Sequence, residues 1–310
     1  MSNTRIYWLH ALSPTHAGIG RGVGYIDLPI DRDGVTGWPI IRSSAFKGVW
    51  RDWAVQQDLS NIEFAFGRPD KDGEVANSGS LIPTDAKLVC LPVRSFRGTF
   101  AWCTSSLCLQ MLRRTLVLTG AANAHEIELL KDVPTPKEPD DKTDQPGEAY
   151  CLGETLVETG RVYLEDLDFK AITSDKLTGE WGKFIARSVF PGDEAWQEQF
   201  QKRFVVLPDS AFDFLCDTGT EVHTRVRISD ETKTVEAGAL WTEESLPAET
   251  ILAGILRCDR VFGRNGEEVT PTGLLNQFAN DSLTLQIGGK ATIGRGQMRC
   301  VFTQVNRGGK

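Results

Sequence analysis

Glycines at positions 18, 20, 22 and 24, with Asp27 close behind them, constrain this chain more than any other feature. They stand inside the segment from Tyr7 to Arg51. There an apolar stretch leads to His16, and the glycines lead on to Ile40-Ile41, Ser43-Ser44 and a helix start carrying Lys47, Gly48 and Arg51. Glycine lets a backbone take angles and close approaches that a side chain forbids. Residues 13–42 are too long and too glycine-rich for a simple turn, and long ordered loops in compact domains are often functional. A glycine-rich loop feeding a serine-capped helix offers N–H groups and nearby cations to phosphate. The segment lacks the GxxxxGK[ST] spacing of an NTPase loop, and its glycines lie too far from a helix start for a dinucleotide fingerprint.

The remaining pattern mixes strands and helices without the regular alternation of a doubly wound sheet. Alternation over Arg5–Leu12 predicts a first strand, and Ser44 to about Gln57 a helix with Phe46, Val49, Trp50 and Trp53 on one face. Strands are expected around Leu81–Val93, Phe100–Thr104, Thr155–Leu164 and Arg203–Leu207, with helices around Leu107–Leu118, Lys183–Val189, Glu194–Arg203 and Asp209–Leu215. The proline-rich, charged stretch of about 131–148 reads as a mobile insertion. Val222–Ile228 and Val235–Leu240 read as a hairpin around Asp230-Glu231-Thr232, with Val226, Ile228, Val235 and Leu240 as its core. Strands at Ile251–Cys258, Leu283–Ile287 and Gln297–Val305, and a helix near Gly273–Ala279, complete an α+β domain with large insertions. No repeat of 20–50 residues is visible.

Composition excludes several classes. With 310 residues the chain can bury a substantial core. No apolar run approaches the ~20 residues of a membrane helix, and no basic n-region or cleavage site opens the chain. Seven cysteines with no CxxC pair argue against a disulfide framework or zinc knuckle, which points to a reduced cytoplasm. The net charge of −8 is not that of a free-standing nucleic-acid binder. Arg21, Arg42, Lys47, Arg51, Lys290, Arg295 and Arg299 nevertheless fall beside glycine-rich segments, while Glu138, Asp140, Asp141 and Asp144 gather elsewhere. With screening over about 10 Å, a basic groove can coexist with an acidic body.

Three landmarks occur in order along the chain: Ser43-Ser44-Ala45-Phe46-Lys47-Gly48 after the glycine loop, GALWTEESLP from Gly238 to Pro247, and IGGKATIGRGQMR from Ile287 to Arg299. In these the chain resembles the RAMP superfamily of type III CRISPR effectors, specifically the repeated backbone subunits of the type III-B Cmr complex. It departs at Ser245, where the family often has an aromatic. The resemblance implies a single domain over 1–310 built on a ferredoxin-like (RRM-like) palm, with a protruding thumb hairpin over about 220–247. It implies an endoribonuclease working inside a guide-RNA complex. The partners would be guide RNA, target single-stranded RNA, further copies of the chain in a filament and other Cmr subunits.

Each site residue has a plain reading beside the implied one. Asp27, in GYIDLPI, alone reads as a loop aspartate capping a turn beside Pro29; the resemblance makes it the carboxylate of target cleavage. With an ordinary pKa near ~3.9 it is a weak base, better suited to position water or a divalent cation such as magnesium or manganese. A histidine is a residue type suited to proton transfer, and His16 equally suits a structural hydrogen bond. Glu243 and Glu244 read as a solvated acidic pair, whereas the resemblance makes Glu243 an accessory catalytic group delivered by a neighbouring subunit. His10 reads as packed or solvated, and His125 and His223 have no metal-site spacing. Lys47 and Arg51 share a helix face and are assigned to guide phosphates, as are Arg42 and Arg295. A non-cutting RNA scaffold, a guide-processing endoribonuclease and a metabolic enzyme with a phosphate ligand are the alternatives.

Overall fold

The first strand, β1 (Thr4–Ala11), is buried along its whole length. Its alternation explains this, because successive side chains of a strand face opposite ways. Tyr7, Leu9 and Ala11 join one hydrophobic core, and Ile6 and Trp8 join a second on the other side. A strand buried on both faces must lie inside a sheet covered by two layers. The computed structural model describes residues 3–303 apart from Val23, 69–75, Ala121, 141, 143, 144, 263–268 and Asp281.

In chain order the elements that matter here are β1, α1 (Ser43–Gln56), β2 (Ala86–Arg94), β3 (Phe100–Ser105), α2 (Ser106–Thr119), α3 (Lys176–Val189), β4 (Phe204–Leu207) and α4 (Asp209–Thr218). There follow β5 (Glu221–Ile228), β6 (Val235–Ser245), β7 (Ile251–Arg257), α5 (Pro271–Phe278), β8 (Leu283–Gln286) and β9 (Gln297–Thr303). One large mixed sheet runs in the order β8-β9-β1-β7-β2-β3-β4 and continues through Glu148–Cys151, Leu167–Ile172, Arg161–Leu164 and Val157–Glu158. β1 pairs antiparallel with both β7 and β9, whereas β4 runs parallel to β3. Helices α1, α4 and α5 fill the Tyr7 side, and α3 with most of the apolar residues of α2 fills the Trp8 side. On the first side Tyr7 stacks on Phe46 at 4.4 Å and Phe46 on Trp50 at 5.3 Å. Such buried aromatic contacts carry a large apolar area and fix the helix on the sheet.

Three expectations are corrected. The start of α1 is not serine-capped: Ser43 is its first residue, and its N–H donates to Asp85 Oδ1 at 2.7 Å. An internal carboxylate therefore meets the helix N-terminus where phosphate was expected. The insertion over 131–148 is pinned along its first part, because Trp181 Nε1 donates to the Asp132 carbonyl at 3.0 Å and Ser106 Oγ to that of Pro134 at 2.6 Å. Asp141 and Asp144 lie outside the described residues. Finally, Val226, Ile228, Val235 and Leu240 form no hairpin core; each is 45–63% exposed. The β5–β6 hairpin forms its own two-stranded sheet, separate from the large one, and a lone hairpin has no second layer in which to bury a face.

All seven cysteines are free and buried. Among the described residues no helix is long and apolar enough to cross a membrane.

Candidate active site

The three sequence landmarks separate in the fold. Two of them, the GALWTEESLP and IGGKATIGRG segments, meet the glycine loop at the base of the β5–β6 hairpin. Thr15 and Leu246 exchange backbone hydrogen bonds of 2.9 Å in both directions. The Gly289 N–H donates to the His16 carbonyl at 2.9 Å, and Gly296 to that of Pro14 at 2.9 Å. Further along, Leu28 N–H donates to the Thr242 carbonyl and Glu244 N–H to the Leu28 carbonyl, each at 3.0 Å. A loop with no secondary structure of its own thus satisfies its backbone against two distant segments.

His16 is buried at the centre of this junction, and its Nδ1–H donates to the Glu244 carbonyl at 2.6 Å. Two glycines make room for it. A Cβ on Gly18 would stand 2.4 Å from His16 Nε2, and one on Gly288, where φ is +86°, would stand 2.3 Å from the His16 carbonyl oxygen. These glycines admit the imidazole and its backbone, a packing demand that the sequence pattern alone ascribed to phosphate.

Asp27 lies at the exposed edge of the junction. Its Oδ2 accepts from the Thr242 N–H at 2.8 Å and from the Thr242 hydroxyl at 3.0 Å. Those two donors, the amide first, hold the Asp27 carboxyl below its ordinary range, with a smaller pull from Arg21. Asp27 Oδ1 accepts no hydrogen bond from the described residues. Thr242 was not singled out from sequence, although it stands inside the GALWTEESLP landmark beside Glu243.

Glu243 and Glu244 are both buried, against the solvated reading. Because neighbours on a strand face opposite ways, they serve different partners. Glu243 Oε1 accepts from Lys290 Nζ and from Trp241 Nε1, both at 2.7 Å, and Arg225 stands 3.4 Å from Oε2. Burial pushes its carboxyl up, but these partners outweigh burial and the net displacement is downward. Glu244 accepts from Arg32 at 2.7 Å, from the Thr220 hydroxyl at 2.8 Å and from the Ile30 N–H at 3.0 Å. It bolts the far end of the loop to the hairpin. Ser245 is buried opposite Glu221.

Removing one partner of a buried charge pair costs ~3–5 kcal/mol, but Arg32 is one-quarter exposed and keeps bonds to Asp217 and to the Gly37 and Cys216 carbonyls. Glu244→Ala should therefore destabilise the fold by about 2–3 kcal/mol. The urea unfolding midpoint checks this, and a midpoint equal to wild type would show that the bolt carries no stability.

The four cations assigned to guide RNA fall into two kinds. Arg42 grips Asp31 with two bonds of 2.7 and 2.9 Å and reaches Asp85 at 3.3 Å, contacts with Asp31 foremost that raise its pKa further. Arg295 is paired to Glu221 at 3.2 Å. Both clip the loop and turn in place. Lys47 and Arg51 are half-buried on α1 and have no acidic partner among the described residues. Burial lowers the Lys47 ammonium pKa, and Arg51 Nε is buried without a hydrogen-bond partner. Half-buried cations left unneutralised are suited to an external anion.

The sequence pattern of the RAMP superfamily matches residues 8–299. The chain belongs to that superfamily. Among its RAMP relatives, the CRISPR system Cmr endoribonuclease Cmr4 of Pyrococcus furiosus is 31% identical over 313 aligned residues, covering 97% of this chain and 96% of that protein. The CRISPR system CMR subunit Cmr4 of Saccharolobus solfataricus is 22% identical and covers 94% of this chain and 93% of that one. In three dimensions, oligomeric Cmr4 from Pyrococcus furiosus superposes with a TM-score of 0.73 at 24% identity, over 98% of this chain and 99% of that one. A chain of the type III-B Cmr-beta complex bound to cognate target RNA gives 0.71 at 20% identity, over 97% of both. The resemblance carried by the three landmarks is borne out, and this RAMP chain shares the fold of those subunits.

Proposed function

We propose that the chain is the repeated backbone subunit of a type III-B CRISPR ribonucleoprotein, binding guide RNA and cutting complementary single-stranded RNA. The observation that carries this reading is an exposed, ionised carboxylate, Asp27, held by Thr242 where the glycine loop meets two family landmarks. A purely architectural subunit has no need of a carboxylate fixed at an open edge. The finer fold reading belongs here too. Strands β9, β1, β7 and β2 are neighbours in that order, with α1 between β1 and β2 and α5 between β7 and β9. That is the connectivity of a ferredoxin-like palm carrying a long insertion, and the β5–β6 hairpin, with its exposed apolar side chains, is its thumb.

RNA offers its own nucleophile. The 2′-oxygen attacks the adjacent phosphorus, the bond from phosphorus to the 5′-oxygen breaks, the 2′-proton passes to solvent or a carboxylate, and the leaving oxygen takes up a proton. The protein's task is to hold the strand in line and stabilise charge on the phosphorane. Asp27, ionised and a weak base, orients water or a hydrated cation. A single free carboxylate oxygen with RNA phosphates nearby fits magnesium or manganese, which keep several waters and need few protein ligands. Such an ion, held at Asp27 Oδ1, would supply charge neutralisation. His16 and Glu243 support this centre from below: one fixes the loop, and the other already holds Lys290 and Arg225, which an incoming phosphate would have to draw away. Base pairing supplies specificity, and copies stack head to tail with other Cmr subunits along the guide in the cytoplasm.

Reconstitution with guide RNA and a labelled complementary RNA tests the reading. Cuts should fall only within the paired region, and cutting of an unpaired control equally well would refute it. Guide binding has its own test in Lys47→Ala combined with Arg51→Ala. Each neutralised phosphate of a single strand contributes about 0.7 to the slope of log affinity against log salt, so losing two contacts should flatten the slope by about 1.4. An unchanged slope would make the pair an ordinary surface.

A further inference from the structure

Asp27 is exposed, and an exposed aspartate on a glycine-rich loop samples several rotamers unless something selects one. Four bonds join Asp27 and Leu28 to a single position of β6. The Thr242 N–H and hydroxyl both reach Asp27 Oδ2, the Asp27 N–H donates to the Thr242 hydroxyl at 3.0 Å, and the Leu28 N–H donates to the Thr242 carbonyl at 3.0 Å. A hydroxyl has one hydrogen and two lone pairs. Its hydrogen has two acceptors in range, the carboxylate at 3.0 Å and the Tyr25 carbonyl at 3.4 Å. The nearer, charged acceptor wins. The same hydroxyl therefore gives to the Asp27 side chain and takes from the Asp27 backbone, closing a ring that fixes both.

We infer that Thr242 is the positioning residue of the cleavage centre, seizing Asp27 Oδ2 and turning Oδ1 toward the RNA. This rests on the reading of Asp27 given above. Serine would reproduce the bonds, because only the hydroxyl is used. Valine keeps the volume, the β-branching and the backbone donor but removes the ring.

The experiment compares single-turnover target cleavage by reconstituted complexes carrying Thr242→Val, Thr242→Ser and Asp27→Asn. Thr242→Val should lower the cleavage rate at least tenfold without weakening target binding. Thr242→Ser, which keeps the hydroxyl, should recover most of the rate. If the valine variant fails to assemble, Thr242→Ala against Thr242→Ser makes the same comparison. Loss of cutting in Asp27→Asn, together with a wild-type rate in Thr242→Val, would overturn the positioning role alone. Wild-type cutting by Asp27→Asn would overturn the reading of the site and the inference with it.

Discussion

Replacing Asp27 by alanine is expected to stop target cleavage while leaving the subunit folded and its guide association near normal. The carboxylate is exposed, so its loss opens no cavity. Its bonds to Thr242 lie open to water, which competes for the same partners, so they contribute little to folding. The backbone bonds from Leu28 to Thr242 and from Glu244 to Leu28 do not involve the side chain and keep the loop docked. Lys47 and Arg51, the cations left for the guide, lie on α1, outside the Asp27–Thr242 contact. A positioned proton-transfer or solvent-orienting group contributes roughly 100- to 10,000-fold in rate, and the variant should lose a factor in that range. Gel filtration of the reconstituted complex followed by cleavage of a labelled RNA reads both halves. Assembly with wild-type cutting would remove Asp27 from the chemistry, whereas failure to assemble would give it a structural role.

Local signals reached as far as contacts within a segment. The alternation of Tyr7 and Trp8 disclosed β1, and the spacing of Phe46 and Trp50 disclosed α1, because strand and helix periods are written in neighbouring residues. The three landmarks disclosed the family, and the resemblance singled out Asp27 and Glu243 as candidates. The fate of their side chains was set by partners far away in sequence. His16 is decided by the Glu244 carbonyl 228 positions on, and Arg42 by Asp85 together with Asp31. Two adjacent glutamates at a strand end read as solvated until Lys290, Arg225 and Arg32 arrive from three other segments. The hairpin misled in the opposite sense. Its alternating valines and isoleucines have the pattern of a half-buried strand, but pattern cannot say whether a second layer exists. Thr242 was legible in principle, since a hydroxyl beside the acidic pair of a landmark is a natural partner for a nearby carboxylate.

A single deoxynucleotide in the target, placed on the 5′ side of one scissile phosphate, is expected to abolish that cut and no other. The 2′-oxygen is the nucleophile of the proposed reaction, and removing it leaves nothing at that linkage to attack phosphorus. An in-line attack by a neighbouring group draws its advantage from proximity, worth about 7–11 kcal/mol when the geometry is right, so water arriving from bulk should not replace it. Cuts at other linkages should persist, because each copy along the guide acts on its own stretch of target. Their products should carry a 2′,3′-cyclic phosphate on one side and a 5′-hydroxyl on the other, which end-labelling by a kinase without prior phosphatase treatment will register. Cutting that continues across the deoxy position and leaves 5′-phosphate ends would identify water as the nucleophile. Asp27 would then keep its place as the group that orients that water, and the 2′-hydroxyl mechanism would be abandoned. The two mechanisms also part on DNA: a complementary DNA strand lacks every 2′-hydroxyl and should be bound without being cut, whereas a water nucleophile held at Asp27 has no chemical reason to spare it.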